Sequence, residues 1–166
     1  MQFDLKKFIA TGSKPYHAEF QCDLSARDFS GARISEPVTA YFDAEADGDE
    51  VHMTLRADAY VHGECARCLD PVTRQETVEA EWTVKERDLD DPDFDLPLNE
   101  KGHLDVDEWL CQEFMFQVPM VLLCSADCAG LCPECGKKRA DCTCTHQEQS
   151  DAPIDARLAI LKSLLN

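Results

Sequence analysis

Residues 124–144 read CSADCAGLCPECGKKRADCTC, six cysteines in twenty-one positions, and a further pair stands in ECARCLDP as Cys65 and Cys68. Those eight sulfurs limit what the chain can fold into more than any other feature. A structural zinc site takes four thiolates at tetrahedral corners, each about 2.3 Å from the metal. A Cys-x-x-Cys turn presents two sulfurs to one ion. A glycine after the second cysteine lets the chain turn back, so that backbone N–H groups point at the sulfurs. Cys132-Pro-Glu-Cys135-Gly136 has that form, and Cys142-Thr-Cys144 begins after six intervening residues. Cys132, Cys135, Cys142 and Cys144 are therefore assigned to one closed Zn2+ site. Cys65-Ala-Arg-Cys68 is a second turn of this kind, with Leu69-Asp70-Pro71 in place of the glycine. It needs two more ligands, and Cys124 and Cys128 are those left, which makes a second Zn2+ site the expectation. Buried thiols, a disulfide or mixed pairing between the clusters are the competing outcomes. Cys22 and Cys111 stand alone and are expected as small core hydrophobes.

The rest of the chain reads as a sheet followed by a helix. Residues 17–24 alternate in part and suit a strand. In residues 36–61, Val38, Ala40, Phe42 and Ala44 alternate with polar neighbours, and Val51, Met53, Leu55, Ala57 and Ala59 do so on the return. The intervening ADGDE supplies an Asp-Gly turn, so this segment is expected to be a hairpin. Residues 72–86 place Val78, Ala80, Trp82 and Val84 on one face. Such a succession predicts an antiparallel meander, open or closed into a barrel, with one face wet. Residues 88–100 pack six acids and two prolines into thirteen positions and read as a solvated connector. They lack the glycine and the closing glutamate of a calcium loop. The period then changes: Val106, Trp109, Leu110, Glu113, Phe114 and Gln117 fall at helical spacing over 104–117, with Asp105 as N-cap and Pro119 near the stop. A polar linker at 146–153 leads to a short terminal helix with Ile154, Leu158, Leu161 and Leu165 on one face. The expected fold class is α+β: an antiparallel sheet, one packed helix, a zinc-knuckle segment and a C-terminal helix. It divides into an acidic domain over 1–123 and a zinc-knuckle segment with the terminal helix over 124–166.

Charge and composition exclude several functions. The 33 acidic residues outweigh 16 basic ones, for a formal charge of −17. Residues 1–123 carry −16 of it, whereas 124–166 carry only −1. A body so acidic repels bare nucleic acid and suits a basic protein partner. No segment has the make-up of a signal peptide, and none approaches the about 18–20 apolar residues of a membrane span. A cytoplasmic protein is expected, and in that reducing compartment metal binding outranks a disulfide framework. Four thiolates close a zinc shell and leave no position for water, which disfavours a catalytic metal. Histidines 17, 52, 62, 103 and 146 lie at no metal-ligand spacing. Pro71, three residues after Cys68, argues against the CxxC-headed helix of a dithiol oxidoreductase. No nucleophile set or phosphate-cradling loop is visible, so no enzyme and no small-molecule substrate are expected.

Three stretches, CARCLDP (65–71), VPMVLLCSADCAGLCPECGKKRADCTC (118–144) and DARLAILKSLL (155–165), together resemble the DUF177 or YceD family of large ribosomal RNA subunit accumulation proteins. The resemblance covers most of the chain, with residues 1–60 similar only in strand-rich character. Where many members carry an Asn-rich turn after the knuckle, this chain has Lys137-Lys138-Arg139-Ala140-Asp141. The resemblance implies a non-enzymatic role in the synthesis, processing or stability of 23S ribosomal RNA. A large-subunit ribosomal protein, precursor 23S rRNA or both are the implied partners. Read from the residues, the acidic body suits a basic ribosomal protein. Lys137, Lys138 and Arg139 on one knuckle, with Arg67 on the other, are the candidate RNA contacts. Two other classes fit the same residues: a redox-regulated zinc switch or chaperone, and a protein-interaction module with purely structural zinc.

Overall fold

The computed structural model describes residues 1–12, 14–91 and 94–144. They form two compact units, Met1–Cys128 and the described part of Ala129–Asn166. The first unit is built in the order β1 (Gln2–Asp4), α1 (Leu5–Thr11), β2 (Tyr16–Cys22), β3 (Val38–Asp47), β4 (Glu50–Glu64), β5 (Pro71–Lys85), β6 (His103–Asp105) and α2 (Val106–Gln117). The expected terminal helix lies outside the described residues.

Strands β2 to β5 form an antiparallel meander in sequence order, a four-stranded sheet that stays open, with β2 and β5 at its edges. Register follows from the alternation. Val38, Ala40, Phe42 and Ala44 of β3 and Val51, Met53, Leu55, Ala57, Ala59 and Val61 of β4 all point to one buried face. A one-residue slip would turn the whole set to solvent. The β3–β4 turn closes Asp47 onto Glu50 through Gly48 and Asp49, with Gly48 at φ +64°, the left-handed conformation that the first turn residue of a tight hairpin requires. β4 and β5 run paired for fifteen positions, from Glu50↔Lys85 to Glu64↔Pro71. Their six-residue connection, Cys65–Asp70, is therefore held at the tip of a long hairpin.

Helix α2 lies where its period placed it. Asp105 caps it by accepting from the Glu108 N–H at 3.3 Å, and Val106, Trp109, Leu110, Cys111 and Phe114 are buried. Phe42 and Trp109 meet edge to face with centroids 6.3 Å apart. Glu113 and Gln117, placed on the same periodic face, stay outside the core; the Glu113 carboxylate instead accepts from Trp109 Nε1 at 2.8 Å. Cys22 and Cys111 are core residues, as expected of lone cysteines.

Three features were not expected from the sequence. β1 pairs with β6 across Gln2↔Asp105, Phe3↔Leu104 and Asp4↔His103. α1 follows β1 directly, with Asp4 as N-cap accepting from the Lys7 N–H at 3.0 Å. Loop residues Leu24, Phe29, Ala32 and Ile34 enter the core. Among the described residues no helix is long and apolar enough to cross a membrane.

Candidate metal centres

Eight cysteines assemble into two groups of four. Within each group, Cys65, Cys68, Cys124 and Cys128 in the first unit and Cys132, Cys135, Cys142 and Cys144 in the second, the sulfurs lie within 4.8 Å of one another. Cys65 Sγ is 3.8 Å from Cys128 Sγ, and Cys68 Sγ is 3.6 Å from Cys124 Sγ. Cys135 Sγ is 3.6 Å from Cys142 Sγ. Four sulfurs about 2.3 Å from one ion stand about 3.8 Å apart along a tetrahedral edge. A disulfide needs about 2.05 Å. The geometry is that of metal cages, with no disulfide among the described cysteines and no mixing between the two groups.

The two CxxC turns share one backbone pattern. Cys65 N–H donates to the Asp70 carbonyl and Cys132 N–H to the Lys137 carbonyl, both at 2.7 Å. Leu69 N–H returns to the Cys65 carbonyl at 2.8 Å, and Gly136 N–H to the Cys132 carbonyl at 2.9 Å. Each turn thus closes on itself and leaves its sulfurs on one side. In the second unit the Cys135 N–H points at Cys132 Sγ at 3.4 Å, and the Cys144 N–H at Cys142 Sγ at 3.3 Å.

Long-range contacts bring the other half of the first cage to the hairpin tip. The Ala66 N–H donates to the Leu122 carbonyl at 2.9 Å. Gly63 allows this approach, because a Cβ there would lie 2.6 Å from Leu122 Cδ1. Arg67 Nη1 donates to the carbonyls of Cys128 at 2.9 Å and Ala126 at 3.3 Å, which fixes the loop carrying Cys124 and Cys128. Cys65 and Cys68 are buried, Cys124 is exposed and Cys128 lies between.

The thiols of each cage are driven apart in acidity. Backbone N–H donation from Cys124, aided by Arg67 and Cys68 and opposed by burial, lowers the Cys65 thiol to about 6. The Cys135 N–H, followed by that of Glu134 against burial, lowers Cys132 to about 6. At Cys68 the Asp70 N–H pulls downward, yet burial and bonds to Cys65, Cys124 and Cys128 push it up to about 12. Hydrogen bonds with Cys142 and Cys135, then burial, push Cys144 up to about 12. One sulfur in each cage gives up its proton near neutrality, while neighbouring thiols hold theirs against a second negative charge. A thiophilic dication is the species that lets all four ionise together, so the donor sets fit Zn2+.

Lys137, Lys138 and Arg139 are exposed on the return side of the second knuckle. There Leu131 bridges Lys138 and the Arg139 N–H donates to the Gly130 carbonyl at 3.0 Å. Arg67 is exposed as well; its loop-clamping bonds had no local signal in the sequence, since their acceptors lie 59 and 61 residues away.

An antiparallel sheet bearing a four-sulfur cage at a hairpin tip, with a second such cage in a separate unit, defines an α+β protein with two candidate metal centres. The family model described as large ribosomal RNA subunit accumulation protein YceD matches residues 53–165, and the chain belongs to that family. The match takes in all eight cage cysteines. No curated protein and no solved structure matches the chain.

Proposed function

We propose that this protein is a non-enzymatic factor that supports accumulation of the large-subunit ribosomal RNA by docking, with two Zn2+ ions holding its shape. The closure of both cages by four sulfurs carries the reading: a metal so enclosed keeps no site for substrate or water, so it organises surface. When bound, zinc supplies cross-linking in place of a disulfide, pinning the β4–β5 tip to residues 124–128 in one unit and closing the 132–144 turn in the other. The family description supports a role with 23S rRNA, in the cytoplasm where ribosomes are built.

The acidic body offers a basic ribosomal protein a complementary partner, since Lys- and Arg-rich surfaces are drawn to it over distances near the Debye length. RNA contact is confined to places where cations gather. Lys137, Lys138 and Arg139 offer such a place, and Arg67 a second with the donors that do not hold the loop.

Affinity purification of the full-length tagged protein, with and without nuclease, tests this. Precursor 23S rRNA and large-subunit proteins are expected to be enriched together, with about two zinc ions per chain by metal analysis. Enrichment of neither, with zinc present and the protein folded, overturns the reading.

A further inference from the structure

The first 17 residues run against the chain's charge. They hold Lys6, Lys7 and Lys14 against Asp4, a balance of +2, whereas the remainder carries −19. Lys6, Lys7 and Lys14 are exposed, and among the described residues none of them has an ion-pair partner. Beside them, between α1 and the start of β2, lies a hollow of about 470 Å³, walled by Phe3, Phe8 and Tyr16 with Lys7 and Lys14 on its rim. Phe3 packs against Phe8 with ring centroids 5.2 Å apart and against Tyr16 at 5.0 Å. Tyr16 keeps 38% of its surface exposed. Asp4 also lines the hollow, but its carboxylate accepts from the Lys7 N–H and stands 3.6 Å from His103 Nε2.

Aromatic faces flanked by unpaired ammonium groups match the chemistry of an unstacked nucleotide: the rings take the base and the lysines take the adjoining phosphates. An apolar ligand has no use for the lysines, and a simple anion none for the rings. We infer that the hollow between α1 and β2 binds single-stranded RNA, with one base against Tyr16 and Phe8 and neighbouring phosphates at Lys7 and Lys14. The choice of RNA over DNA rests on the function proposed above; the stacking and charge arguments stand on the geometry. The acidic remainder repels the strand beyond the site, so the contact is short. Its weakness in isolation suits a factor that also holds a protein partner.

Fluorescence anisotropy of a labelled uridine decamer with the full-length, zinc-loaded protein tests it. Wild type is expected to bind at low salt. Tyr16→Leu keeps apolar packing on Phe3 and is expected to weaken binding about tenfold with little change in the melting midpoint. The double change Lys7→Gln and Lys14→Gln is expected to flatten the dependence of log K on log salt by about 1.4, roughly 0.7 per phosphate lost. Equal binding by wild type and these variants overturns the inference. So does equal competition by oligoglutamate, which would show an anion patch only, or equal binding of a duplex, which cannot offer a base. Equal binding of a deoxyuridine decamer overturns the choice of RNA. If the decamer fails while purification still recovers precursor 23S rRNA, this site falls and the proposed function stands.

Discussion

Leu69 and Gly136 occupy the same backbone position, the residue after the second cysteine of a CxxC turn, and both adopt the left-handed conformation, at φ +62° and +68°. Leu69 carries a side chain where the twin turn has none. For an L-residue that conformation costs about 1–2 kcal/mol. The first knuckle tolerates it because the Leu122 contact and the Arg67 clamp hold the turn from outside.

Alanine at the two positions is therefore expected to act differently. At Gly136 an added Cβ meets nothing within 4 Å, so Gly136→Ala carries only the backbone penalty of about 1 kcal/mol, roughly a fivefold loss of zinc affinity at that cage. Leu69→Ala removes an exposed side chain from a turn already strained, and its effect is expected within about 0.5 kcal/mol. Titration with a chromophoric chelator resolves both. Equal losses at the two positions would show that the turns are not equivalent.

The first cage joins residues far apart in sequence, which makes its loss costly to the fold. Cys65 and Cys128 are 63 positions apart, and a cross-link across such a loop restrains the unfolded chain strongly. Cys128→Ser is expected to reduce zinc from two ions to one and to lower the melting midpoint by roughly 10–20 °C. Cys144→Ser is expected to remove the other ion. Metal analysis beside a thermal melt reads both effects, and a Cys128→Ser protein that keeps two zinc ions would exclude Cys128 as a ligand.

Arg67 acts through the loop it holds. Arg67→Gln deletes the Nη1 bonds to the Ala126 and Cys128 carbonyls, with an expected destabilisation of about 1 kcal/mol. Zinc should leave the first cage several-fold faster under chelator, without a change in stoichiometry. If zinc release is unchanged while RNA association drops, Arg67 serves the partner and not the loop.

How far the sequence revealed this architecture depends on the distance over which each signal acts. β3, β4 and β5 were legible because alternation is local and each strand is long enough to show it. α2 was legible from a cap, a period and a following proline. The cages were legible because CxxC turns are themselves local structures, and the remaining cysteines were few enough to assign. β1 and β6 are three-residue strands, too short for any period, and exist because Gln2 meets Asp105 across the fold. α1 has only seven residues and one buried side chain, Leu5, so no apolar stripe announces it. Phe29 and Ile34 reach the core from a loop without regular spacing. The Lys7–Tyr16 hollow was hidden for the same reason: it needs β1, α1 and β2 together before the rings and the lysines converge.

Burial of Cys22 predicts an alkaline weakness. Desolvation, then the Asp107 carboxylate, pushes its thiol from 9.0 up to about 11, with the N-terminal amine opposing. The folded state therefore keeps the proton to higher pH than the unfolded chain. By linkage, the stability Cys22 contributes is fully present below about pH 9 and is lost as pH rises through about 11. Desolvation also raises Cys111, so the two thiols act in the same direction. Cys22→Ala loses some packing at every pH but removes this titration. Urea midpoints at about pH 8 and about pH 10.5 are expected to show a smaller alkaline drop for Cys22→Ala than for wild type. Parallel drops would place the alkaline loss in groups other than Cys22.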